Sequence, residues 1–143
     1  MLLYTLYNSD LIDLPDNPEA EDSLGYVDDI APIAFSINLI ETTNCLQNIM
    51  TKARGGLDWS LKHNSRFEVS RSAIMHFSRK TVQDPDDAGQ CIPISKPDLI
   101  LEGQIVKQVY SYKYLGILID CQLNWKEQAQ RASANAIKWI LQY

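Results

Sequence analysis

Two adjacent aspartates, Asp28 and Asp29, interrupt the apolar stretch Ser23 to Phe35, and this feature constrains the fold more than any other in the chain. Apolar runs on either side of a polar pair read as two short strands joined by a tight turn. Side chains alternate faces along a strand, so both carboxylates cannot share one face unless the turn re-aims one of them. Neighbouring carboxylates repel, and a bound divalent cation removes the repulsion. Mg²⁺ suits the role because it takes one or two carboxylates together with substrate phosphates. Two such ions can activate an attacking hydroxyl and stabilise a leaving pyrophosphate. One strong ligand is expected at this turn and another on a neighbouring strand. Asp-Asp is also a favourable turn pair in its own right, so the pair alone leaves both readings open.

The pattern around the pair is mixed. Met1 to Leu14 has Leu3, Leu6, Tyr7 and Leu11 at helical spacing. Pro15 to Asp22, with two prolines and several acids, reads as a loop. Ile37 to Lys52 reads as a second helix ending near Gly55-Gly56. Arg71 to Phe77 is strand-like, and Ser78 to Lys96 reads as a surface loop. Glu102-Gly103 is a turn between short strands, and Tyr112 to Asp120 reads as one further strand. Trp125 to Tyr143 reads as a C-terminal helix with Trp125, Ala129, Ala132, Ala136, Ile140 and Tyr143 on one stripe. This order predicts an α+β chain.

The net charge of -5 weighs against a free-standing nucleic-acid binder, which needs a basic footprint. No apolar run approaches the roughly 18 residues of a membrane span, and no signal peptide is read. Cys45, Cys91 and Cys121 are far apart and form no C-x-x-C pair, so they read as reduced thiols. An intracellular location, nuclear or cytoplasmic, is the expectation.

Four segments together carry a family resemblance. Tyr26-Val27-Asp28-Asp29 matches the Tyr-x-Asp-Asp box of reverse transcriptases. Leu6-Tyr7-Asn8-Ser9-Asp10-Leu11 resembles the helix just before that box. Ser70 to Phe77 resembles the strand after the palm helix of non-LTR retroelement polymerases, and Tyr112-Lys113-Tyr114-Leu115-Gly116-Ile117 resembles their Tyr-Leu-Gly segment. The order is right across nearly the whole chain, and the likeness is nearest to fungal LINE-like elements. The resemblance implies the C-terminal part of a polymerase palm over residues 1–143, an antiparallel sheet with helices packed on one face. Its parts would be a helix at 1–14, the catalytic hairpin at 23–36, a helix at 37–54, strands and a loop at 70–120, and the start of a thumb-like helix at 125–143.

The resemblance also implies RNA-directed DNA polymerase chemistry with Mg²⁺, an RNA template, a DNA primer and dNTP substrate. Asp28 would hold metal, with Asp29 as an adjacent acid and Tyr26 near the primer terminus and nucleotide. Gly116 would let backbone approach the primer closely. Arg71 stands where many relatives carry Lys; it is a poor general acid but can pair with phosphate. The family's other metal-binding Asp belongs to a strand well before the box and has no counterpart in these residues. The expectation is therefore a chain that does not polymerise DNA alone. The alternative is a non-catalytic α+β nucleic-acid-binding or interaction module.

Other signals have plainer readings. Asp84-Pro85-Asp86-Asp87-Ala88-Gly89 fails a calcium loop at Ala88 and at Ser95. Asp10 and Asp13 read as solvated or capping residues. His63 and His76 lack ligand spacing, and Trp59, Trp125 and Trp139 read as packing anchors.

Overall fold

Asn38 starts the longest helix of the first half. Its side chain accepts from the Glu41 amide at 2.8 Å, and Glu41 in turn accepts from Ser36 Oγ. Hydrogen bonds from the side chains of Ser36, the larger effect, and Asn38 hold the Glu41 carboxyl below its usual range. The Asn38 side chain is the N-terminal cap and satisfies one of the amides the helix leaves open. In the computed structural model, which describes residues 7–27, 29–78, 81–83, 91–93 and 95–141, this helix (α2) spans Leu39–Thr51. Before it come α1 (Ser9–Ile12), β1 (Glu21–Tyr26) and β2 (Asp29–Ala34). After it come α3 (Gly56–Lys62) and a 3₁₀ turn at Val69–Arg71.

Short strands follow: β3 (Ala73–Ile74), β4 (Thr81–Gln83), β5 (Cys91–Pro93), β6 (Ile100–Leu101), β7 (Gln104–Ile105) and β8 (Lys107–Gln108). The described chain closes with β9 (Ser111–Tyr114), β10 (Ile117–Asp120) and α4 (Lys126–Leu141). Helices mixed with small antiparallel ladders make the α+β class plain. Four ladders join strands that are neighbours in sequence: β1 pairs β2, β4 pairs β5, β6 pairs β7 and β9 pairs β10, each antiparallel.

The chain divides into two compact units. The first, residues 1–73 and 96–107, holds the acidic turn. Leu11, Leu14, Ile49 and Trp59 form its buried cluster, with Ile30, Leu46 and Phe67 packed against it. Trp59 is 7% exposed, stacks on His63 with ring centroids 4.4 Å apart, and meets Tyr7 edge-on. Lys52, just beyond α2, donates to the Leu14 carbonyl and pairs with Asp16, tying the linker after α1 to the end of α2. Pro32 lies opposite Ser23, whose amide is taken by the Asp22 carboxylate at 2.7 Å. Phe35 N–H donates to the Ala20 carbonyl, which by alternation makes Ser23–Pro32 a non-hydrogen-bonded pair, so the missing donor of Pro32 costs the ladder nothing.

The second unit, residues 74–95 and 108–143, contains the β9–β10 hairpin and α4. Tyr112 to Asp120 is a hairpin rather than one strand. Leu115 and Gly116 take φ values of 48° and 89° and turn the chain back. Two consecutive residues at positive φ make a tight hairpin turn, and glycine adopts that geometry freely. The stretch read as a loop after Ser78 contains the β4–β5 pair, while the acidic segment 84–89 lies outside the described residues. Trp125 stands before α4 with φ 58°, and no residue of α4 is buried. Trp125 and Trp139 are therefore surface residues, and only Trp59 of the three anchors a core.

Candidate functional site

Tyr26 and Asp29 are partners in the last rung of the β1–β2 ladder. Directly opposed residues present their side chains on the same face. Asp22, Leu24, Tyr26 and Asp29 form the outward face and are exposed, Tyr26 at 50%. The inward face carries Glu21 and Ser23, both buried, and Ile30 against the core. The hairpin thus buries one side and offers the other, with Asp29 beside a tyrosine, to solvent. Asp28 lies outside the described residues.

Helix α1 braces this hairpin from behind. Asn8, buried at the start of the helix, donates from Nδ2 to the Val27 carbonyl at 2.6 Å. Ser23 Oγ donates to the Leu11 carbonyl at 3.3 Å. A Cβ on Gly25 would lie 2.9 Å from two side-chain carbons of Ile12. A side chain there would push Ile12 aside, because the helix crosses the strand closely. Val27 has φ 58°, a left-handed conformation that a β-branched residue adopts only under constraint. The turn therefore carries local strain, and Asn8 holds it.

The other expected site residues belong to other elements. Arg71 ends the 3₁₀ turn, its side chain 83% exposed, and its Nε donates to Glu68 at 3.1 Å. Gly116 belongs to the second unit. Among the described residues no three His, Cys, Asp or Glu side chains converge to hold a metal ion. Asn8 and the close approach at Gly25 carry no role in the sequence reading. A glycine inside a strand is a usable signal for such an approach, whereas a buried asparagine leaves none.

With this geometry in place, similarity to known proteins is informative. The chain is 26% identical over 150 aligned positions to the RNA-directed DNA polymerase from mobile element jockey of Drosophila melanogaster. It is 24% identical over 151 positions to the polymerase of the same name from Drosophila funebris. Each alignment covers 96% of this chain and 15% of the relative. The likeness supports a fragment related to a reverse transcriptase, and the chain spans only that small share of the polymerases it matches. No family model matches the chain, and no solved structure does. No helix among the described residues is long and apolar enough to cross a membrane.

Proposed function

We propose that this chain is the catalytic-turn segment of the reverse-transcriptase palm of a LINE-like retroelement, of the fungal type by its motif spelling. The observation that carries the reading is the coverage: two jockey polymerases align with 96% of the chain. The hairpin supports it, since Tyr26 and Asp29 share an exposed face and the backbone between them is strained at Val27. In the intact polymerase the chemistry is nucleotidyl transfer assisted by two Mg²⁺ ions, on an RNA template, a DNA primer and dNTP. Asp28 and Asp29 supply one part of the metal site, and the rest comes from a strand outside these 143 residues. Tyr26 sits near the primer terminus and nucleotide, Gly116 approaches the primer, and Arg71 pairs with phosphate when freed from Glu68.

Two-metal chemistry needs both carboxylate supports and a nucleotide grip, and loss of one positioned group costs orders of magnitude in rate. The chain alone is therefore inactive. Purified protein with a primed RNA template and Mg²⁺ or Mn²⁺ should give no extension. Extension that Asp28→Asn abolishes would overturn this inactivity. The family role has its own test: the chain is transplanted into the matched region of the Drosophila melanogaster polymerase. The chimera should extend a primer, and Asp28→Asn should remove that activity. A chimera whose extension ignores Asp28→Asn would sink the assignment.

The exposed apolar end of α4, with Ile137, Trp139, Ile140 and Leu141, favours a second reading as a non-catalytic interaction module. A folded but inactive chimera would point there.

A further inference from the structure

Helix α4 has no buried residue, so polar contacts with the β9–β10 hairpin hold it in the second unit. Cys121 N–H donates to the Tyr110 carbonyl at 2.8 Å, extending the ladder and setting its alternation. Tyr112 and Ile119 then exchange ladder bonds, while Leu118, opposite Lys113, turns its amide to the outer edge. Gln128 takes that amide: Leu118 N–H donates to Gln128 Oε1 at 2.9 Å. One turn along the helix, Arg131 Nη1 lies 3.5 Å from the Gly116 carbonyl, at the hairpin tip. Asp120 fixes the junction between strand and helix, accepting from the amides of Gln122 (3.0 Å), Asn124 (3.1 Å) and Trp125 (2.8 Å).

The charge of this segment differs from that of the chain. Residues 108–143 carry Lys113, Lys126, Arg131 and Lys138 against Asp120 and Glu127, a net +2 in a chain of net -5. The Asp120 carboxylate is already occupied by backbone amides. Tyr110 and Tyr112 are exposed in the same segment as these cations. Cations interleaved with accessible aromatic rings suit a nucleic-acid strand, the cations meeting phosphates and the rings offering stacking surfaces.

We infer that Gln128 is a positioning residue: by capping the outward Leu118 amide it locks the Leu115–Gly116 turn to α4, so that turn and helix engage an RNA–DNA hybrid as one body. This rests on the reading of the chain as a polymerase segment. Arg131 reinforces the lock at the tip and adds its charge to the bound strand. The neutral Gln128 contributes no charge of its own, which separates positioning from electrostatics.

The test has two readouts on the full chain: amide hydrogen exchange resolved at Leu118, and anisotropy of a labelled RNA–DNA hybrid at low salt. Gln128→Ala should speed Leu118 exchange about three- to tenfold, the scale of one lost hydrogen bond. Ile119, paired inside the ladder, should not change. Gln128→Glu keeps an accepting oxygen and should restore Leu118 protection. The same Gln128→Ala variant should weaken hybrid binding about threefold without altering charge. Unchanged Leu118 exchange would overturn the lock. Faster exchange with unchanged hybrid binding would overturn the positioning role and leave the polymerase reading intact. A Gln128-dependent Leu118 amide in a chain that binds no hybrid would instead remove the reading on which the inference rests.

Discussion

Asn8 and Val27 are joined by a 2.6 Å hydrogen bond that spans the gap between the first described helix and the acidic turn. Val27 has φ 58°, so the bond holds a β-branched residue where its side chain is unwelcome. The left-handed conformation costs a non-glycine residue about 1–2 kcal/mol, while glycine loses about 0.5–1 kcal/mol in unfolded-state entropy. The first term wins. Val27→Gly should therefore stabilise the chain by about 0.5–1 kcal/mol in urea denaturation. Asn8→Ala should destabilise it by about 1–3 kcal/mol, because the carbonyl loses its partner beside a buried position. A Val27→Gly variant less stable than the parent would refute the account of strain.

Gly25 is set by Ile12. Alanine ordinarily improves a strand glycine by about 0.5–1 kcal/mol, but its Cβ would lie 2.9 Å from Ile12 carbons. Overpacking costs about 1–3 kcal/mol. Gly25→Ala should lose roughly 1 kcal/mol net, and the loss should shrink when Ile12 is also shortened to Val. A thermodynamic double-mutant cycle measures that coupling. Additive effects would mean that α1 does not press on the strand.

Asp120 makes stability depend on acid. The amides of the loop before α4 hold its carboxyl below the ordinary 3.8, the Asn124 amide first among them. An unfolded chain takes up the proton before the native one does, so the contribution is complete above the ordinary value. It is lost as pH falls through 3.8 toward the lower native value. Thermal melts of the parent and Asp120→Asn should be furthest apart near neutral pH and converge in that acid window. A gap that does not change with pH would show that the carboxylate charge is irrelevant to the loop.

Ile49 and Trp139 should respond in opposite ways to truncation. Ile49 is fully buried in the first unit, and Ile49→Ala should cost about 2–5 kcal/mol. Trp139 is 64% exposed on α4, and Trp139→Ala should change stability by no more than about 0.5 kcal/mol. Chemical denaturation of the two variants checks both, and a large loss at Trp139 would reveal packing on that face.

The sequence by itself determined the α+β class and the chemical character of the acidic turn. Both follow from short-range physics: apolar spacing marks helices, and a polar pair between apolar runs marks a reversal of the chain. The resemblance to reverse transcriptases was legible for the same reason, since ordered motifs are read without coordinates. Other features depended on tertiary structure. The Tyr112–Asp120 stretch has strand composition throughout, and only the positive φ at Leu115 and Gly116 divides it into a hairpin. Trp125, Trp139 and Trp59 are alike in sequence, yet only Trp59 meets a core, because burial depends on which elements pack together. Asn8 and Gln128 look like ordinary surface amides until the fold brings them to Val27 and Leu118. The acidic turn and the helix before it were visible in the chain itself, but the contact by which the helix braces the turn became visible only in three dimensions, because a contact across 19 residues leaves no periodic trace.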